Sequence, residues 1–212
     1  MRGCLISLEG GEGAGKSTVL NALRAHVESA GIRLQVTREP GGTPLGEAIR
    51  ALVLDRRLEG VCAESELLLM FAARAQLVRE LIAPALERGE WVLADRFVDA
   101  SYAYQGGGRG QPPERIEALE EWVTEGLVPD LTLLLDVPVA LGLARAGGRG
   151  TPDRIESEQG AFFERVRATY RARAQADTRR FRIIDASRDI DRVTADACAA
   201  VDGLIAQQRA RA

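Results

Sequence analysis

Lysine is almost missing from this sequence. Of its 28 basic side chains, Lys16 alone is a lysine and the rest are arginine. A compositional bias toward arginine accounts for the scarcity, and it makes the exception informative, because Lys16 sits inside a motif. Histidine is as rare: His26 stands alone, within a helical pattern away from the strand ends described below, and reads as a surface residue. Cys4, Cys62 and Cys198 are odd in number, far apart and without metal-ligand spacing. That argues against a disulfide framework and for free thiols in a reducing compartment. A formal net charge of -3 gives no positive excess to draw in nucleic acid. No apolar run approaches the ~20 residues that span a bilayer, so no membrane association is expected. The first residues enter an apolar segment without a signal-peptide pattern, so a cytoplasmic location is expected.

What is present is an ordinary globular composition over 212 residues, with 46% apolar and 28% charged side chains, enough for one domain with a substantial core. Short apolar runs at 5–8, 34–37, 91–94, 131–135 and 181–184 alternate with helical patterns at about 16–30, 44–54, 65–87, 113–125, 138–146, 158–174 and 190–209. The runs are nearly continuous in apolar character, as in strands covered on both faces. Alternation of strand and helix predicts an α/β fold with a five-stranded, mostly parallel sheet flanked by helices. Each run is followed by ionisable residues: Glu9, Arg38-Glu39, Asp95-Arg96, Asp136 and Asp185. Ligands of open parallel sheets bind beyond the carboxyl ends of the strands, so these residues describe one functional rim. The stretch from Arg145 to Pro152 is too rich in glycine for a stable helix and too positive for a neutral spacer. It reads as a lid over an anion or as a solvated turn.

The chemistry is carried by Gly10-Gly11-Glu12-Gly13-Ala14-Gly15-Lys16-Ser17, which matches G-x-x-x-x-G-K-[ST] between an apolar run and a helical pattern. Such a loop lets backbone N–H groups converge on phosphate oxygens at the positive end of the next helix. Lys16 is placed to reach the β- and γ-phosphates, Ser17 to ligate Mg²⁺, and Thr18 to complete the ATP-binding set. A ligand-free glycine turn does not explain a lysine at a helix start, where it opposes the dipole unless an anion intervenes.

Further segments extend the assignment: Thr37-Arg38-Glu39-Pro40-Gly41-Gly42-Thr43, Asp95-Arg96-Phe97, the run from Tyr102 to Gly110 with its Gly-Gly-Gly-Arg-Gly, and Asp153-Arg154-Ile155-Glu156. Through these the chain resembles the thymidylate kinase family over nearly its whole length. The resemblance implies a three-layer P-loop NTPase fold with a short lid at about 145–156, ATP and Mg²⁺ as cofactors, dTMP as acceptor, and a homodimer. It implies that Arg38 and Arg96 clamp the acceptor phosphate and that Asp95, with Ser17, serves the metal. Arg74 would donate to the thymine carbonyl, Ser101 and Tyr104 would line the deoxyribose side, and Gln105 would complete the dTMP-binding set beside them. Glu12 would accept from the 3′-hydroxyl, the alternative being a side chain turned to solvent. Where relatives carry a stacking phenylalanine this chain has Met70, with Phe71 one place along, and either could meet the thymine ring. Arg149 matches the catalytic lid arginine of bacterial members, and Gly147 replaces a second one.

A phosphate monoester with a second pKa of about 6 is already ionised at neutral pH, so transfer to it requires no general base. Two other readings remain at this stage. A nucleoside kinase would need a carboxylate near a 5′-hydroxyl, for which Glu39 is a candidate. A P-loop ATPase switch would need no small acceptor.

Overall fold

In the computed structural model, residues 2–148 and 152–211 are described. Five strands, β1 (Leu5–Gly10), β2 (Leu34–Arg38), β3 (Trp91–Asp95), β4 (Leu131–Asp136) and β5 (Phe181–Asp185), form a parallel sheet in the order β2-β3-β1-β4-β5. Every residue of β1 is buried, which is why its sequence lacks the alternation of a one-sided strand.

The two faces of the sheet are covered by different helices. Ile6, Leu8 and Leu133 pack with Val19, Leu23 and Val27 of α1 (Lys16–Ser29) and with Val193, Ala197 and Val201 of α9 (Ile190–Arg211). On the opposite face Leu5, Val92 and Ala94 meet Leu77, Ile82 and Leu86, while Leu134 and Phe181 meet Phe162, Phe163 and Val166. The last three belong to α8 (Gly160–Ala176). The result is the expected three-layer α/β arrangement. β1 stands between β3 and β4, so the chain's crossover from one half of the sheet to the other opens a crevice at its carboxyl end.

Two segments depart from the expected elements. The pattern read as one helix over 65–87 is α3 (Ala63–Leu77), a π-helical turn (Val78–Ile82) and α4 (Ala83–Glu87). Pro84, which has no N–H to give, sits at the start of α4, and the wider turn precedes it. The run from Tyr102 to Gly110, for which no element was expected, is helical: α5 (Val98–Ser101) leads into a second π-helical turn, Tyr102–Gly108. Its glycines admit α8. A Cβ at Gly107 would lie 2.1 Å from Thr169 Oγ1, and one at Gly108 would lie 2.4 Å from the Phe162 ring. Close packing overrides the poor helix propensity of three glycines. The remaining helices are α2 (Pro44–Leu54), α6 (Pro113–Thr124) and α7 (Val139–Ala146).

Candidate functional site

The loop after β1 presents its backbone. Gly10, Gly13 and Gly15 have φ of 145°, 67° and 88°, and at Gly13 a Cβ would meet the Gly142 carbonyl oxygen at 1.9 Å. Gly15 caps α1 without any side-chain bond, leaving the first N–H groups of the helix for an anion. Lys16 Nζ folds back on the Gly10 and Gly11 carbonyls at 3.1 and 3.0 Å. Burial, then Arg96, pulls its pKa below the ordinary lysine value, against Glu12, Asp95 and Glu9. An arriving polyphosphate reverses that balance by supplying negative charge.

Beyond the loop lies a cleft of ≈ 300 Å³ whose wall includes Glu12, the loop from Gly13 to Ser17, Arg38, Arg50, Asp95 and Arg96. Asp95 Oδ1 is buried without a partner, and Ser17 shares the wall. One hydroxyl and one carboxylate suit Mg²⁺, which keeps several of its waters. Arg96 holds a positive φ of 75°, a backbone state that an arginine rarely adopts. Its guanidinium explains the tolerance. Nη1 donates to the Gly10 carbonyl at 3.0 Å and Tyr170 Oη at 3.1 Å, and Nη2 donates to Glu12 Oε1 at 3.0 Å and Tyr104 Oη at 2.9 Å. Arg38 is half exposed and donates to Glu47 at 2.8 Å.

Behind the cleft lies a buried polar layer, of which Glu39 reaches the wall and Arg74, Ser101 and Glu9 do not. Arg74 is 0% exposed; its Nε donates to Glu39 Oε2 at 2.8 Å, and its Nη2 to the Phe97 carbonyl and Ser101 Oγ at 3.2 and 3.0 Å. Arg74 Nη1, Glu39 Oε1 and Gln105 Oε1 are buried and unpartnered. Burial raises the Glu39 pKa, opposed by Arg74. Glu9 accepts from the Phe97 N–H at 2.7 Å and Tyr170 Oη at 2.8 Å. Burial first, and then the charge of Asp99, pushes its carboxyl up to about 8. Met70, Tyr104 and Gln105 line the cleft. Phe71 does not: it packs with Leu67 and Ile116, with its ring 4.5 Å from the Arg74 guanidinium. Glu12 is turned inward rather than to solvent, and Tyr104 Oη donates to it at 2.8 Å.

The P-loop, the cation-lined cleft behind it and the buried Arg74–Glu39 pair coincide with a family likeness. A family model described as thymidylate kinase matches residues 8–197. The chain belongs to the thymidylate kinase family. It is 55% identical over 205 residues to a thymidylate kinase of Pseudomonas syringae pv. tomato, covering 97% of this chain and 96% of that one. It is 53% identical to the Methylobacillus flagellatus thymidylate kinase (91% and 94% covered) and 56% identical to that of Alkalilimnicola ehrlichii (91% and 89% covered).

Sequence reading missed one residue of the cleft wall and two that stand behind it, bonded to Arg96 and Gln105. Arg50 lines the cleft, donating to the Pro40 carbonyl at 3.1 Å; burial, then Arg38, lowers its pKa. No spacing marks it, because it is one polar position of an amphipathic helix. Tyr170 arrives from α8, and Glu66, discussed below, from the first turn of α3. Of the segment read from sequence as a lid, Arg149 lies outside the described residues. Arg145 donates to the Ala186 and Ser187 carbonyls at 2.6 and 3.2 Å, and Gly147 caps α7. Asp153, Ile155 and Glu156 reach the cleft wall. Among the described residues no helix is long and apolar enough to cross a membrane.

Proposed function

We propose that this chain transfers the γ-phosphoryl group of ATP to dTMP, giving dTDP and ADP for dTTP synthesis. The observation that carries the reading is a single cleft holding both a free P-loop helix terminus and a second set of cations, Arg38, Arg50 and Arg96. Two phosphate sites facing each other are what a monophosphate acceptor requires, since guanidinium groups suit phosphate oxygens. ATP lies with its phosphates along Gly10–Thr18 and its base by the loop 185–189.

The reaction is largely positioning and charge neutralisation. The acceptor oxygen is ionised at neutral pH, its second pKa being about 6, so no side chain removes a proton. Lys16 and the loop N–H groups hold the β- and γ-phosphates, and Arg149 supplies lid charge to the moving group. Arg38 and Arg96 hold the acceptor phosphate; Glu12, Ser101 and Tyr104 meet the sugar, and Arg74, Gln105 and Met70 the base. Ser17 and, through water, Asp95 would hold Mg²⁺, which would supply positive charge to the phosphates. Arg38 and Arg96 on the cleft wall, which a hydroxyl acceptor would not call for, favour a monophosphate over the nucleoside that Glu39 could serve as a base. A homodimer is supported by Leu68 of α3 and Trp122 of α6, which stay 57% and 75% exposed.

The test is ADP release with ATP alone, with dTMP and with thymidine. Turnover should depend on the monophosphate. Equal turnover with ATP alone or with thymidine would end this reading.

A further inference from the structure

One buried carboxylate takes no part in phosphate handling yet lies one hydrogen bond behind Gln105 on the cleft wall. Glu66 is 1% exposed. Its Oε1 accepts from Gln105 Nε2 at 3.0 Å and from Arg109 Nε at 3.2 Å, and its Oε2 accepts from Arg154 Nη2 at 2.6 Å. Burial alone would raise its pKa, but the hydrogen bonds from Gln105, Arg109 and Arg154 more than offset that and hold it below the usual glutamate value. Two guanidinium groups on one carboxylate keep it ionised, and an ionised carboxylate only accepts.

The consequence falls on Gln105. An amide can present either its NH₂ or its oxygen in a given direction, and the two ends are nearly the same size. Against an acceptor-only Glu66 the choice is gone: NH₂ faces the carboxylate and Oε1 faces away. That oxygen is buried and unpartnered, on a side chain that lines the cleft.

We propose that Glu66 is a positioning residue for base selection, which fixes the Gln105 carbonyl as an acceptor toward the pyrimidine ring. Resting on the reading of dTMP as acceptor substrate, this selects a ring that carries N–H at position 3, as thymine does. Cytosine carries a bare nitrogen there, and two lone pairs face each other. Rejection then comes from a built-in mismatch as well as from a match with the right base. Glu66 also binds the lid-side Arg154, whose Nε donates to the Val53 carbonyl at 2.8 Å. A merely structural role would work through that anchor and would lower turnover of every acceptor alike.

The experiment compares kcat/KM for dTMP and dCMP, with ATP, in the full chain and its Glu66→Gln and Glu66→Asp variants. The amide introduced by Glu66→Gln can donate as well as accept, so the Gln105 amide is free to turn. The dTMP preference should fall by roughly 5- to 150-fold, the range for one unmatched buried polar group. Glu66→Asp keeps an acceptor-only group and should retain most of the preference even where turnover drops. An equal loss on both nucleotides in Glu66→Gln, with dTMP turnover intact in the wild type, overturns this proposal alone. A wild type that does not phosphorylate dTMP overturns the proposed function with it. Should Glu66→Gln fail to fold, the wild-type complex with ¹⁵N-labelled dTMP decides. Scalar coupling across a hydrogen bond from thymine N3 to Gln105 Cδ is expected, and a Gln105 NH₂ group found facing the base overturns the proposal.

Discussion

The two ends of the cleft are made of different material. At the end assigned above to ATP, the groups offered to a ligand are backbone N–H groups and one lysine, all within Gly10–Thr18. The end assigned to the acceptor is built instead from side chains of β1, the turn after β2, α3, α5, the following π-helical turn and α8, ionisable or polar, buried, and bonded mainly to one another. The first end depends on conformations that glycine allows. The second depends on charges that must stay paired. Damage at the ATP end should therefore cost activity with little loss of stability, and damage at the acceptor end should cost both.

The largest effect should come from Lys16→Met. Among the described residues its ammonium hydrogen-bonds to two carbonyls and to no side chain, so the melting temperature should barely move. Turnover should fall by about 10²–10³, as when one preorganised donor to developing charge is removed. Steady-state kinetics beside a melting curve checks both halves of the claim. Arg74→Met is the counterpart. It leaves Glu39, 4% exposed, with no ion-pair partner among the described residues, and breaking a buried pair costs about 3–5 kcal/mol. Urea unfolding should show that loss, and Arg74→Met/Glu39→Gln should recover part of it; a stable Arg74→Met single variant would erase the contrast between the two ends.

A smaller effect follows from Glu9, whose folded carboxyl is pushed up to about 8 from 4.5. Between those values the folded state holds a proton that the unfolded chain has released, so stability falls as pH rises through that window. One such proton gives a slope of up to about 1.4 kcal/mol per pH unit. Glu9→Gln should flatten the stability profile between pH 5 and 8, and an unchanged slope would mean that Glu9 is ionised in the fold. The smallest effect belongs to Tyr104→Phe, which removes the hydroxyl between Arg96 and Glu12 and should cost about 0.5–1.5 kcal/mol in unfolding.

The same contrast explains what the sequence reveals. All five strands are legible because their apolar runs are short and bounded, and the P-loop because its constraints lie within eight consecutive residues. At the acceptor end, partners lie 35 residues apart for Arg74 and Glu39 and 161 apart for Tyr170 and Glu9, and no local pattern records such pairs. Glu66 looks like any acidic residue in the first turn of a helix. Met70 and Phe71 differ by one position, about 100° around α3, enough to put one on the cleft and the other in the core. The glycines from Gly106 to Gly108 mark the family clearly in sequence, but their steric role becomes visible only where α8 crosses them.

The account rests on the acceptor being a phosphate and not a hydroxyl or water. Following the label from [γ-³²P]ATP in the presence of dTMP tests that directly. The account predicts labelled dTDP formed one for one with ADP; label released as inorganic phosphate, or none transferred to the nucleotide, would contradict it.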